Sequence, residues 1–334
     1  TECTAVFAKR TFSFNDWSEM VLGARYQEEH RHVVQSSFGL TNGDGSYTTA
    51  IDWANGGATP TTADSSNFSP KISFNFYPFD DAMIYVSAQK GYKSGTFNTF
   101  NINSDIDYAG PEDVTAYELG LKYTSSGGNV RVNTAVFETT VDDIQVQVVS
   151  LMAGGTVRLE NAGSARIRGA EVDATIMVFP ALVDDLILAF GGAYLDGIYT
   201  DYKDGTGFNE STGMYEEGQD FSGKPVVRTP EFSATAALSK LLNTEAGPLE
   251  MTVDGYYNSG YSYLAQGDPF KENEYYLVNA RISYLIEDMN LRFTLSGKNL
   301  ADTIHAYSQF PSDFGRLEAL APPKSYSIAL SWEF

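Results

Sequence analysis

Apolar and polar residues alternate along most of this chain with a period of two. In "VTAYELGLKYT", Tyr117, Leu119, Leu121 and Tyr123 fall on one side and Ala116, Glu118, Gly120 and Lys122 on the other. In "YYLVNARISYLI" the apolar side is Tyr276, Val278, Ala280, Ile282 and Tyr284, and "LRFTLSGKN" sets Leu291, Phe293 and Leu295 against Arg292, Thr294, Ser296 and Lys298. The split recurs at Met20/Leu22/Ala24/Tyr26, Ile72/Phe74/Phe76, Leu186/Leu188/Phe190, Phe232/Ala234/Ala236/Leu238 and Leu249/Met251/Val253/Tyr257. It also closes the chain, at Tyr326, Ile328, Leu330, Trp332 and Phe334. Successive side chains of a strand point to opposite faces, so this period predicts strands in series, each with one apolar face. Two runs are less clean. Neither face of "TAVFAKRTFSF" is uniform, and "ARIRGAEVDATIM" changes parity near Gly169, which predicts a β-bulge there.

Connections between these runs alternate in length. Short ones occupy residues 14–17, 77–82, 124–129, 179–185, 243–248 and 286–290; longer polar ones span roughly 34–66, 94–112, 150–160, 198–227, 263–273 and 303–320. About thirteen antiparallel strands, with short turns at one end and long loops at the other, are the layout of an all-β transmembrane barrel. An odd count makes the last strand run parallel to the first, whereas closed bacterial barrels have even numbers. Strands are therefore expected to be missing on the N-terminal side, and Thr1, with no preceding Met or signal peptide, reads as the start of a piece.

Composition narrows the alternatives. A formal net charge of −21 without Lys/Arg clusters argues against nucleic acid as a partner. The single cysteine, Cys3, excludes an internal disulfide framework and a Cys-rich zinc site. No apolar run approaches the ~20 residues of a membrane helix, which leaves a membrane barrel open. A soluble β-rich module, for example one binding glycans, also alternates. Against it, the polar faces carry Gly, Ala, Ser and lone charges, as a crowded lumen would. Aromatic residues bracket the aliphatic ones, as in Tyr117 to Tyr123 and Tyr326 to Trp332, like the girdles at two lipid interfaces.

Catalytic signatures such as GxSxG, HExxH or a P-loop are absent, so no enzyme activity and no cofactor are expected. The acidic pairs Asp80/Asp81, Asp142/Asp143 and Asp184/Asp185 are expected at turns or strand ends as solvated charge. His30 and His32 share one strand face, but a metal would need a third ligand, and His305 is the only other histidine. An exposed strand end is the expected reading, and no metal site is assigned. Parity points Arg25, Glu118, Lys122, Arg281, Arg292 and Lys298 into the lumen.

The terminal pattern ending on Phe334 resembles the C-terminal assembly signal of bacterial outer-membrane proteins, carried here by Tyr326, Ile328, Leu330, Trp332 and Phe334. Further motifs resemble one family. "YVSAQKGYKSGTFN" (85–98) is similar to a run found in TonB-dependent outer-membrane receptors. It is followed in the family's order by "YELGLKY" (117–123), "NTAVFETTVDDIQVQ" (133–147), "NAGSARIRGAEVDAT" (161–175), "SGKPVVRTPEFSATAAL" (222–238), "YYLVNARISY" (275–284), "SGKNLADT" (296–303) and "APPKSYSIALSWEF" (321–334). Thr96 stands where that family usually has a second Gly.

The resemblance implies a 22-stranded barrel plugged by an N-terminal domain, of which residues 1–334 would supply the C-terminal strands. The plug, the TonB box and about nine strands would lie upstream, so this portion alone is not expected to transport. It further implies active uptake of a scarce nutrient, most simply a ferric siderophore, energised by the TonB complex. The outer-membrane assembly machinery and the lipid and lipopolysaccharide of the outer membrane would be further partners. Glycan or cobalamin uptake would look the same, and a passive porin-like channel is the rival reading. In this family the plug apices and external loops hold the ligand. That makes Trp53, Phe97, Phe100, Tyr199, Tyr202 and Tyr215 in the loops, with Arg25, Lys122 and Arg281 on the wall, the candidate ligand contacts.

Overall fold

The computed structural model describes residues 1–33, 38–41, 47–51, 62–98, 108–150, 156–178, 185–209, 211–212, 214–265, 270–312 and 315–332. Thirteen strands form one antiparallel sheet in which every strand pairs with its neighbours in chain order. They are β1 (Glu2–Asn15), β2 (Ser18–His32), β3 (Thr62–Phe79), β4 (Ala82–Lys93), β5 (Glu112–Thr124), β6 (Val130–Ser150), β7 (Thr156–Met177), β8 (Leu186–Asp201), β9 (Phe232–Thr244), β10 (Gly247–Asn258), β11 (Tyr275–Ile286), β12 (Leu291–Lys298) and β13 (Ser325–Trp332). β1 and β13 are the two edges and do not pair with each other. The alternation thus predicts both the type and the number of the sheet strands.

Cross-strand register carries the apolar face without a break. Val86 pairs with Leu119, Leu119 with Val136, Val136 with Ala170, Ala170 with Tyr194 and Tyr194 with Phe232. Farther along, Leu238 pairs with Val253, Val253 with Ala280, Ala280 with Gly297 and Gly297 with Tyr326. A one-residue slip at any step would turn a whole strand inside out, so the pattern itself enforces this register. The large side chains on this face, among them Leu119, Val136, Leu238, Ile282 and Ile328, are exposed because no protein covers them. That is the arrangement of a lipid-facing wall.

Several expectations need correction. No bulge occurs at Gly169: pairing with β6 keeps one register from Val130↔Ile176 to Ser150↔Thr156, and the one shift against β8 lies between Ser164 and Ala165. The apparent parity change arises because Arg166 and Arg168 stay on the outward face, where Arg168 pairs with Glu138 and Arg166 lies 3.8 Å from Asp196. Gly169 instead answers a close approach, since a Cβ there would sit 2.7 Å from the Phe137 ring and 2.8 Å from Leu195. Asp142 and Asp143 lie inside β6, not at its end, and Asp143 takes a left-handed φ of 56°, which aspartate tolerates. Asp80 and Asp81 do form a turn, Asp185 lies in another, and Asp184 is outside the described residues.

Strands reach farther into the long connections than the polarity of their ends suggests. β3 begins at Thr62, β7 at Thr156, and β8 runs to Asp201. β1 is continuous despite its mixed pattern. Its pairing with β2 puts Val6, Ala8, Arg10 and Phe12 on the outward side, with the Arg10 guanidinium 5.0 Å from the Phe12 ring. The loops also hold short hairpins with no clear sequence period: Phe38–Thr41 with Tyr47–Ile51, Thr96–Phe97 with Tyr108–Ala109, Gly205–Asn209 with Met214–Gln219, Tyr261–Ser262 with Lys271–Glu272, and Ala306–Ser312 with Gly315–Leu320.

Candidate functional site

Two regions can meet a ligand: the polar face of the sheet and the cluster of long connections above it. On the polar face, side chains satisfy each other across neighbouring strands. The Tyr85 hydroxyl donates to Glu118 at 2.6 Å, Glu19 accepts from Asn75 and Tyr77 at 2.8 and 2.9 Å, Asn133 donates to Asp173 at 3.1 Å and Asn279 to Asp254 at 2.7 Å. Gly120 belongs to this wall because a Cβ there would fall 2.4 Å from the Tyr85 ring. A hollow of about 580 Å³ over Gly23 is lined by Lys9, Lys71, Ser73, Asn75, Tyr85 and Lys122, among others.

Arg25, Glu118, Lys122, Arg281, Arg292 and Lys298 all lie on this polar face, on the side opposite Tyr26, Tyr117 and Leu119, Ile282, Phe293 and Gly297. Arg25 is held by Gln27 at 3.2 Å, Lys122 stands 5.6 Å over the Tyr85 ring, and Arg292 donates to Ser283 at 3.2 Å. Arg281 is exposed on the wall.

Above the sheet, the connections are fastened by side chains that reach backbone. Asn98 donates to the Leu159 carbonyl at 2.8 Å and accepts from the Leu159 N–H at 2.7 Å. Gln145 donates to the carbonyls of Ser94 at 3.1 Å and Gly110 at 2.7 Å, while its own N–H meets Glu112 at 2.7 Å. Asn161 binds both the N–H and the carbonyl of Gly110, at 2.6 and 3.1 Å. Arg31 reaches Ser94 at 2.8 Å, and Lys93 pairs with Glu112 at 2.7 Å. Gly95 is required here, since a Cβ would fall 2.2 Å from the Tyr108 hydroxyl. The motif "GYKSGTFN" is thus a latch that ties the 94–111 connection to β5, β6 and β7.

Later connections are fastened in the same manner. Asn299, at a left-handed φ of 47°, binds the Thr303 N–H and carbonyl, each at 2.9 Å, and Asp302 accepts from the Lys324 N–H at 3.0 Å. Tyr263 is buried with its hydroxyl 2.6 Å from both Glu272 and the Ala306 carbonyl. Burial first, and the hydrogen bond to Glu272 second, push its phenol well above the usual tyrosine range. In the 202–231 connection, hydrogen bonds from Thr212 and Asn209 hold the Glu216 carboxyl low, and Ser222 does the same for Asp220.

The aromatic candidates divide. Tyr199 and Tyr202 are not open to solvent: at 0% and 2% exposure they form a small core with Phe221, Val226, Val146, Ala162 and Ala165. Phe97 is buried beside Tyr108, ring centres 4.9 Å apart, with Val33 and Ala63 against it. Tyr215 lies in the hairpin strand Met214–Gln219, and its side chain is outside the described residues, as are Trp53 and Phe100. His30 pairs with Asp64 across to β3, while His305 stacks on Tyr275 with centroids 4.4 Å apart. No group of three or more His, Cys, Asp or Glu among the described residues is placed to hold a metal. The sequence reading missed Asn98, Gln145, Asn161, Arg228 and Asn299 as individual residues, although all five sit in the motifs it singled out.

Comparison with known proteins agrees with this geometry. Residues 3–300 match the family described as TonB dependent receptor-like, beta-barrel. The chain is similar in fold to the ferric yersiniabactin uptake receptor FyuA of Yersinia pestis, with 14% identity, a TM-score of 0.73, and 98% of this chain and 45% of that one covered. The siderophore receptor PiuA of Acinetobacter baumannii gives 18% identity, a TM-score of 0.68, and 98% and 42% coverage. The copper transporter OprC gives 15%, 0.69, and 99% and 49%. The chain spans slightly less than half the length of these relatives.

Proposed function

Given that this chain belongs to the TonB-dependent receptors and is built as an outer-membrane β-barrel wall, we propose that it is the C-terminal part of a receptor importing a scarce nutrient, most simply a ferric siderophore, driven through TonB. The observation that carries this reading is the family match over residues 3–300, on a sheet whose apolar face is unbroken and whose long connections are fastened at one end. Two of the structural neighbours, a ferric yersiniabactin uptake receptor and a siderophore receptor, favour an iron chelate as cargo. In this reading the plug, the TonB-contacting segment and the remaining strands lie outside residues 1–334, and the sheet edges β1 and β13 pair with those strands.

Arg25, Lys122 and Arg281 are then wall residues that meet the plug or passing cargo. Tyr199, Tyr202 and Phe97 support the loops from within, and contact with ligand falls to the loop surface they hold up. The apolar face sits in lipid and lipopolysaccharide, and β13 presents the segment read by the assembly machinery. A copper transporter among the structural neighbours makes a metal ion the second cargo to assay.

Uptake of ⁵⁵Fe supplied as a panel of ferric siderophores, in iron-starved cells with and without the full-length gene, tests the reading. Gene-dependent uptake that collapses when the proton gradient is dissipated is the expected result. Steady ion conductance of the purified full-length protein in a bilayer, with no energy-dependent uptake, would establish a passive channel instead.

A further inference from the structure

Three external connections, residues 202–231, 259–274 and 299–324, meet at one side chain that is named in none of the candidate sets above. Arg228 donates its backbone N–H to the Ser262 carbonyl at 2.9 Å. Its guanidinium stands 6.0 Å from the Tyr261 ring and 5.4 Å from the Tyr263 ring, within cation–π range. From there Nη2 reaches the Tyr307 carbonyl at 3.1 Å. One residue of the first connection therefore holds both of the others. Its backbone is left-handed, with φ of 55°, a conformation an arginine adopts only when its surroundings impose it.

Beneath Arg228 the second and third connections are also joined directly. The Tyr263 hydroxyl is shared between Glu272 and the Ala306 carbonyl, and the Ala306 N–H donates to the same Glu272 oxygen at 2.9 Å. An exposed arginine with one partner would contribute little. Arg228 has two rings, a carbonyl and a backbone bond, spread over two separate chain segments. By contrast the 94–111 connection is fastened elsewhere, by Asn98, Gln145 and Asn161.

We infer that Arg228 is a positioning residue that fastens the 202–231 connection to the other two, which Tyr263, Glu272 and Ala306 already join, so that a ligand touching any of them repositions all three. The consequence for a ligand rests on the receptor reading above, whereas the mechanical coupling does not. A latch of this kind gives three separate loops a single response, and it removes the need for each loop to order independently on binding.

Amide hydrogen exchange on the full-length protein, read peptide by peptide, tests the coupling without any uptake assay. Arg228→Gly is the primary variant, because glycine keeps the left-handed backbone at no steric cost and removes only the side chain. Exchange in 259–265 and 305–309 is expected to rise together by roughly tenfold, as loss of one charge-assisted hydrogen bond and the ring contacts implies. Peptides at 94–98 and 108–110 should stay unchanged. Arg228→Lys should restore protection in 259–265, where an ammonium can still face the rings, but not in 305–309.

A change confined to 226–230 would overturn the inference. So would equal loosening of every connection, 94–111 included, which would mean general destabilisation. Normal exchange coupling combined with absent uptake would leave the latch standing and sink the receptor reading.

Discussion

Single polar side chains do much of the structural work above the sheet. Asn98 is the clearest: both of its amide atoms are matched to the one backbone unit of Leu159. Asn98→Ala leaves that N–H and carbonyl unpaired, so the free energy needed to open this fastening should fall by about 1–3 kcal/mol. Faster local hydrogen exchange with an unchanged sheet would register it. Glu216 and Asp220 supply a pH-dependent case. Hydrogen bonds to Thr212 and Asn209, and to Ser222, lower their folded-state pKa values. Their stabilisation is therefore full above the ordinary carboxylate range and is lost as pH falls through the lowered values. Exchange in 205–222, corrected for its intrinsic pH dependence, should accelerate as pH falls below the ordinary carboxylate range while β9 and β10 hold. Asn98 lies in a motif legible in the sequence, but its partner Leu159 does not. Asn98 and Leu159 lie 61 positions apart, and no local period connects them.

At the scale of the strand, parity decides what a substitution meets. Leu119 is outward on β5, paired with Val86 and Val136 and half exposed, while the next residue, Gly120, is buried under Tyr85 on the polar face. Leu119→Arg should destabilise by about 2–4 kcal/mol in urea unfolding of the full-length protein folded into lipid. An unaffected midpoint would mean that β5 faces the other way. The strand patterns were readable because a period of two is a property of local backbone geometry. The bulge expected at Gly169 is absent because the change of parity there reflects side-chain type and not backbone register. Arg166 and Arg168 face outward in the middle of β7, where Glu138 and Asp196 on the flanking strands meet them, so parity there does not separate charged from apolar positions.

For the molecule as a whole, the two unpaired edges are the dominant feature, because an exposed strand edge is a row of unmet hydrogen-bonding groups. β13 is exposed along its length, with Tyr326, Ile328, Leu330 and Trp332 on its apolar side; Phe334 lies outside the described residues. Changing Trp332 and Phe334 together to Ser in the full-length protein should block barrel assembly, seen as loss of heat-modifiable protein from the outer-membrane fraction. Normal levels of that variant would remove the terminal segment from any part in assembly.

What the sequence determined by itself was the sheet: strand number, face, the ends at which turns are short, and the family motifs. These follow from alternation and turn chemistry, which act between residues a few positions apart. Only the tertiary structure decided what the long connections do. Their hairpins carry no clean period, and their fastenings join residues as distant as Arg228 and Tyr307, 79 positions apart. Such contacts depend on how neighbouring strands carry their loops over one another, which the chain specifies only once the sheet beneath has formed.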